Sequence, residues 1–141
     1  MTINEKIKQI VDTIEGLNFE YNDWSRANVT LSKKPLPICV CLPPVSGEII
    51  TKNGNIRDRR NMLVAFLDKA EFDYEGKVNE KTVDNMKLFA KRFIVALNKS
   101  GMFKTLPDTV KYSVCYDRLD DNLTGIILDF DLEDLQGGCY G

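Results

Sequence analysis

The first part of the chain carries apolar residues at the three- and four-residue spacing of one helix face. These residues are Ile3, Ile7, Ile10, Val11, Ile14 and Leu17. Thr2 and Glu5 have the spacing of a capping box, and Gly16 suits the C-terminal end of a helix. The pattern therefore predicts a helix over 3–15.

A second apolar stripe occurs in the middle of the chain. Its members are Val83, Met86, Ala90, Phe93 and Leu97. Asn79 is placed to cap the start of this helix, with Val78 and Val83 as a hydrophobic staple, and Gly101 follows its end. The stripe predicts a helix over 80–99.

Shorter stretches alternate apolar and polar residues, or are continuously apolar between prolines, as strands do. They are Phe19 to Tyr21, Ile38 to Leu42, Val45 to Thr51, Ile56 to Asp68, Tyr112 to Tyr116 and Ile126 to Leu132. Asn53-Gly54 separates the third stretch from the fourth, and this dipeptide is a strong signal for a hairpin turn. A second turn is predicted at Asp120-Asp121-Asn122.

The predicted elements run in the order helix, three or four strands, helix, two strands. This order predicts an α+β fold, in which two helices pack on one face of a small antiparallel sheet of about five or six strands. A chain of 141 residues has the length of one domain. We expect a single domain over 1–141, with a flexible, Gly-rich tail from about 134.

Composition limits the classes of function. Hydrophobic residues make up 43% of the chain and charged residues 28%, which are ordinary globular values. The longest apolar runs fall short of the roughly 20 residues that span a bilayer, so we expect no membrane contact and folding in a cytoplasm. A net charge of −2 argues against a surface dedicated to binding nucleic acid.

The chain contains no histidine, which removes the usual general base and the commonest zinc ligand. It also lacks a glycine-rich phosphate loop, a nucleophile elbow and a dinucleotide-binding fingerprint. The spacing of Cys39, Cys41, Cys115 and Cys139 matches no zinc or redox motif and predicts buried free thiols for most of them. We therefore expect no catalytic residues, no cofactor and no bound metal.

Two charged clusters of opposite sign stand out. Asp129, Asp131 and Glu133 alternate with apolar residues on the last strand and should share one face of the sheet. A solvated outer face, a cation site and a surface where repulsion is useful are all compatible with such a row. The basic cluster consists of Arg57, Arg59 and Arg60 beside the predicted turn.

The basic cluster has two interpretations, ordinary exposed charge or an ion pair with acids of another subunit. We favour the second. Trp24 is the only tryptophan and lies in a polar segment beside Arg26, so it is either packed under a loop or an aromatic anchor at an interface. The predicted subunit interface therefore contains Trp24, Arg57, Arg59 and Arg60.

In the order of its elements and in several short segments, the chain resembles the tail-terminator and tail-completion proteins of tailed bacteriophages. The segments that carry the resemblance are Trp24 to Val29, Leu42 to Gly47, Val64 to Lys69, Phe72-Asp73, Phe93 to Gly101, Tyr116-Asp117, Thr124 to Ile126 and Gly137 to Cys139. The resemblance covers most of the chain in the order and type of its elements.

The resemblance implies a structural virion protein that forms a ring at the head–tail junction or tail end, without catalysis. It implies a homo-oligomer of about six or twelve copies, contact with other neck or tail proteins, and DNA only as passing cargo. The hairpin near Asn53-Gly54 and the tail after Leu132 are the expected subunit contacts. Asp129, Asp131 and Glu133 would face the lumen and repel DNA.

Two other functions remain open from the sequence. The first alternative is a non-enzymatic binding module that takes a small molecule or peptide on its sheet. The second is a carboxylate-dependent enzyme, which would need a pair of buried acids in a concave pocket.

Overall fold

A computed structural model of the protein describes residues 2–23, 35–69, 77–118 and 123–134, without the side chains of 77–79 and 116–118. Two α-helices and six β-strands form within these ranges. In chain order they are α1 (Ile3–Asp12), β1 (Asn18–Tyr21), β2 (Ile38–Leu42), β3 (Gly47–Ile50), β4 (Arg57–Lys69), α2 (Lys77–Lys99), β5 (Lys111–Arg118) and β6 (Leu123–Glu133).

The first helix begins where the capping box predicts. The Thr2 hydroxyl accepts a hydrogen bond from the Glu5 backbone N–H at 3.2 Å. The helix ends at Asp12, earlier than expected, and the Thr13 hydroxyl donates to the Ile10 carbonyl at 2.6 Å. Gly16, with φ of +81°, belongs to the turn that follows.

The second helix begins at Lys77, so Asn79 lies inside it and the prediction of Asn79 as its cap is wrong. Its C-terminal boundary is confirmed at Lys99. The Ser100 hydroxyl there donates to the Leu97 carbonyl at 2.7 Å, and Gly101 adopts φ of +72°. A left-handed glycine just beyond the last turn is a common way to end a helix.

The strands form one sheet in the order β1-β2-β4-β6-β5, and β3 pairs with the N-terminal part of β4. All neighbouring pairs are antiparallel except β1 and β2, which run parallel. The predicted α+β class with helices on a sheet of about six strands is confirmed. The expectation of an antiparallel sheet is wrong for one pair, because β1 runs parallel to β2. Parallel strands that follow each other in the sequence cannot be joined by a tight hairpin turn.

Both helices lie on the same face of the sheet. The main core contains Ile7, Ile10 and Val11 of α1, the buried stripe of α2, and alternate residues of β2, β4 and β6. Phe66 of β4 and Phe93 of α2 meet edge to face, with ring centroids 5.5 Å apart. Within the described ranges, no helix combines the length and apolar character needed to cross a membrane.

The opposite face of the sheet is helix-free among the described elements and has two parts. Ile38, Val40, Ala65 and Leu67 belong to a second buried apolar cluster. Towards the start of β4 and the end of β6, the same face carries the charged side chains of Arg57, Arg59, Asp131 and Glu133. These residues share a face because every second residue of a strand points to the same side of the sheet. That charged end is the region considered next.

Candidate functional site

A cleft of about 430 Å³ lies at the charged end of the helix-free face. We call it the charged cleft; its lining residues are Arg57, Arg59, Lys104, Thr105, Pro107, Asp131 and Glu133. The register between β4 and β6 places Arg59 opposite Glu133 and Asn61 opposite Asp131. Neighbouring strands therefore supply one wall, and the connection between α2 and β5 supplies the other.

Lys104 is brought to the cleft by the end of β6. Its backbone N–H donates to the Glu133 carbonyl at 2.9 Å, and the neighbouring Phe103 forms a β-bridge with Asp134. Phe103 is buried in the main core, so it anchors this connection against the helices. The side chain of Lys104 then reaches the helix-free face.

Glu133 is the central charged group of the cleft. Its Oε2 atom lies 2.6 Å from Lys104 Nζ and 3.5 Å from Arg57 Nη1, and only 8% of its side chain is exposed. Its Oε1 atom is buried without a hydrogen-bond partner among the described residues. The hydrogen bond from Lys104 lowers the pKa of Glu133; burial opposes this, while the charges of Lys104, Arg57 and Arg59 add to it.

Arg60 points to the helix-covered face and has a different role. Its guanidinium lies 3.5 Å from carboxylate oxygens of Asp58 and of Asp134. Asp134 also pairs with Lys6 of α1 at 3.0 Å. This group of charges ties the start of α1 to the end of β6, so Arg60 has an evident role in holding the fold together.

The structure changes the meaning of the opposite-charge clusters found in the sequence. The sequence favours ion pairs between the arginines and acids of another subunit, but within one chain the strand that carries Arg57 to Arg60 already lies beside the strand that carries Asp129 to Glu133. Arg59 keeps the greatest exposure of the three arginines, and its ion pair with Glu48 spans 3.9 Å. Trp24 lies outside the described residues.

The three acids of β6 do not share one environment. Asp129 and Asp131 are exposed, and the Asn61 side-chain amide donates to both, at 2.9 and 3.3 Å. Glu133 is buried, so the expectation of three lumen-facing acids does not hold for it in the single chain. Among the described residues, no group of three or more acidic or Cys side chains is arranged to hold a metal ion.

The β3–β4 hairpin is the second notable surface. Its turn is the predicted Asn53-Gly54, with both residues at positive φ, +57° and +71°. Of the seven exposed large hydrophobic residues in the described part of the chain, three lie on or beside this hairpin: Val45 at 94%, Ile49 at 71% and Ile56 at 39% exposure. Within the described ranges β3 pairs only with β4, so its other edge has no strand partner.

The cysteines of β2 give no sign of activation. Cys39 and Cys41 are buried against the helices, as the sequence predicted. Burial raises the pKa of Cys41 to about 12, and it raises that of Cys39 as well, helped by the nearby Cys41. A thiol that stays protonated near neutral pH is a poor nucleophile, so these side chains act as small core residues.

Sequence reasoning missed Lys104 and Asn61 as parts of the charged surface. Lys104 lies in a connection without periodicity, and only the bridge between Phe103 and Asp134 brings it to Glu133. The sequence does contain a signal for Asn61, because Arg57, Arg59 and Asn61 follow each other at every second position and so point to the same face of a strand.

Comparison with known proteins gives no family assignment. No protein-family model matches the chain. A search of curated proteins also finds no significant match.

Proposed function

We propose that this protein is a structural subunit that assembles with copies of itself into a ring, as the tail-terminator and connector proteins of tailed bacteriophages do. The observation that carries this proposal is the β3–β4 hairpin, with its open strand edge and the exposed Val45 and Ile49. In that role the protein would be found in the virion, at the neck or tail end.

An open edge with exposed apolar side chains is a feature that soluble monomers usually avoid. Alternate backbone N–H and C=O groups of an edge strand point outward and can pair with another strand. Proteins commonly protect such edges with charges, and β3 has only Glu48 between Gly47 and the apolar Ile49 and Ile50. A partner that covers the hairpin would bury the apolar groups and satisfy the backbone together.

The edge of the sheet at β5 is better protected than β3. On β5, Tyr112 is 51% exposed, but the Lys87 ammonium lies 4.9 Å from the centre of its ring. A charge that must be moved or buried makes an apolar contact there less favourable. The hairpin is therefore the surface that we assign to the subunit contact.

A ring requires a heterologous interface, in which the hairpin meets a different surface of the next copy. The exposed Asp129 and Asp131 would then be available to face the lumen. Carboxylates there would repel passing DNA over about one Debye length, roughly 8 Å in physiological salt.

The test is the mass of the particle in solution, by light scattering over a range of protein concentrations. We expect wild-type protein to form oligomers of about six or twelve copies, and Ile49→Lys to be monomeric, because a lysine on the edge opposes strand pairing. Val95→Lys is the matched control. Val95 is an exposed valine on α2, at 52%, so the same charge is added to an exposed apolar site away from the hairpin.

Two results would contradict the proposal. One is a wild-type monomer at every concentration up to about 1 mM. The other is an oligomer that Ile49→Lys and Val95→Lys weaken equally, since this would separate assembly from the hairpin.

A further inference from the structure

A groove lies between α1 and α2, and we call it the helix groove. It consists of two depressions of about 460 and 570 Å³ that share Thr13, Ala96 and Lys99, so they form one continuous surface. The described residues that line it belong to α1, to α2 and to the turns that follow these helices. From Lys91 to Ser100 it follows α2 for about 14 Å, at a rise of roughly 1.5 Å per residue.

The base of the helix groove is apolar. Ile10 and Ile14 line it, belong to the main core and are almost completely buried. Its accessible apolar surface comes from Ala96 and Met102, which are partly buried, and from Val95, which is 52% exposed. Apolar side chains of a partner that lie over these three residues would remove their surface from water, which favours binding.

The rim of the helix groove is basic. Lys91, Arg92 and Lys99 line it against a single carboxylate, that of Glu15. These three cationic side chains are exposed, and in the part of the chain that the structure describes none of them forms an ion pair with an acid. The Arg92 guanidinium lies 5.7 Å from the centre of the Phe89 ring, a contact with the ring face that leaves its N–H donors available for carboxylates.

We infer that the helix groove is the docking site for an acidic amphipathic helix of a partner protein. The partner's apolar side chains, at three- and four-residue spacing, would lie on the base, and its carboxylates would meet the basic rim. The chain as a whole carries a net charge of −2, so the rim is a local concentration of positive charge that selects for an acidic partner. The inference does not depend on the proposed assembly, because it uses a different surface from the β3–β4 hairpin.

A helix fits this groove better than other acidic partners do. The backbone groups of α1 and α2 bond mostly within their own helices, so an extended strand would find few hydrogen-bond partners there. A bilayer is entered by apolar side chains that project from the protein, whereas Ile10 and Ile14 are recessed. Nucleic acid would pair its phosphates with the rim but would leave the apolar base uncovered.

The probes are three synthetic peptides of about 12 residues, long enough to span the groove as a helix. The first has leucine at three- and four-residue spacing, with glutamate and alanine elsewhere. The second replaces glutamate by lysine, and the third replaces leucine by alanine. All three carry the same side-chain staple on the outward face, so that their helicity is equal. Binding is measured by fluorescence anisotropy in physiological salt and located by the NMR shifts of backbone amides.

We expect the first peptide to bind with a Kd of about 50 μM, and the other two at least about tenfold more weakly, because each lacks one of the two features that the groove recognises. Val95→Glu should also weaken binding of the first peptide about tenfold, since it places a carboxylate on the base. Leu88→Glu is the matched control. Leu88 lies two turns earlier on α2, is 51% exposed and does not line the groove, so the Kd should change by less than about twofold.

A second pair of variants tests the rim. Lys99→Gln should weaken binding about threefold, because it removes a rim charge. Lys81→Gln removes an exposed lysine at the other end of the same helix and should leave the Kd unchanged. Ile49→Lys, which tests the hairpin, should also leave the affinity for the peptide unchanged, so failure of the proposed assembly and failure of this inference are distinguishable.

Three results would overturn the inference. The first is that the leucine and glutamate peptide gives no saturable shifts at the residues of the helix groove, whether or not vesicles of phosphatidylglycerol or short double-stranded DNA bind there instead. The second is that Val95→Glu and Leu88→Glu weaken binding equally, which would indicate a general response to charge. The third is equal affinity for the peptides with leucine and with alanine, which would remove the role of the apolar base.

Discussion

The two faces of β4 use the same 13-residue strand for different purposes. On the helix-covered face, Met62, Val64 and Phe66 are completely buried in the main core. On the other face, the strand passes from Arg57 and Arg59 at one end to the buried Ala65 and Leu67 at the other. The apolar part fixes the pairing of β4 with its neighbours, and the charged part is placed by that pairing.

The apolar part of β4 also holds the side chains of the charged cleft in one geometry. Met62 pairs with Phe130 and Arg59 with Glu133 in the same continuous antiparallel ladder. A shift of one residue would move the apolar side chains to the wrong face, so the core strongly specifies the register. The ion pairs of the cleft therefore contribute little to choosing the fold, and their own arrangement follows from it.

We expect the largest loss of stability from a substitution in the core on the helix-covered face. Phe66→Ala removes a fully buried ring that packs on Phe93. We expect the free energy of unfolding to fall by about 3–5 kcal/mol, measured by urea denaturation, because both apolar burial and close packing are lost. Leu88→Ala, at a site on α2 that is 51% exposed, is the control and should change it by less than about 0.5 kcal/mol. Equal losses for the two variants would contradict this assignment of the core.

A smaller effect is expected at the buried acid of the charged cleft. Glu133→Gln leaves Lys104 and Arg57 without their carboxylate, and these side chains are partly exposed, at 40% and 25%. We expect a loss of about 1–2 kcal/mol, because water can compensate part of the lost interaction. Lys8→Gln, which breaks an exposed ion pair on α1, should cost less than about 0.5 kcal/mol.

The effect of Glu133→Gln should also depend on pH. The folded protein lowers the pKa of Glu133 from its ordinary 4.5. The carboxylate therefore contributes stability above that value, and this contribution is lost as pH falls through the lowered pKa of the folded state. Urea denaturation of wild type and variant should show a constant difference at neutral pH that shrinks in acid. A difference that grows as the pH falls would contradict the assigned direction of the shift.

Much of the fold could be predicted because its elements carry strong local signals. The Thr2–Glu5 capping box, the Asn53-Gly54 turn and the apolar stripe of α2 each specify a short piece of backbone. The parallel pairing of β1 with β2 has no such signal. Alternation predicts that 19–21 is extended, but it does not say which strand lies beside it or in which direction.

The candidate site was less predictable, because it too depends on which strands lie side by side, and no local sequence signal specifies that. Opposite charges on Arg57 and Glu133 predict that the two segments attract each other, but attraction is the same within a chain and between chains. Only the order of the strands, β4 beside β6, decides that they meet within the chain. Likewise, alternation places Asp129, Asp131 and Glu133 on one face, whereas the burial of Glu133 depends on Lys104 and the connection that carries it.

The smallest effect on stability is expected for the exposed acids of β6. The double variant Asp129→Asn and Asp131→Asn keeps side-chain oxygens that can accept from the Asn61 amide, and both sites are exposed. We expect the free energy of unfolding to change by less than about 0.5 kcal/mol in urea denaturation. A loss as large as that of Glu133→Gln would show that the two exposed acids also hold the sheet together.

The same double variant tests whether the two exposed acids face the lumen of the assembled protein. If Asp129 and Asp131 face a lumen, removing their charges should increase the amount of short double-stranded DNA that the oligomers retain, because repulsion close to the wall is lost. Glu5→Gln, on the first turn of α1, is a control that removes one exposed acid elsewhere. Unchanged retention in the double variant, with assembly intact, would assign these acids to the outer surface of the particle.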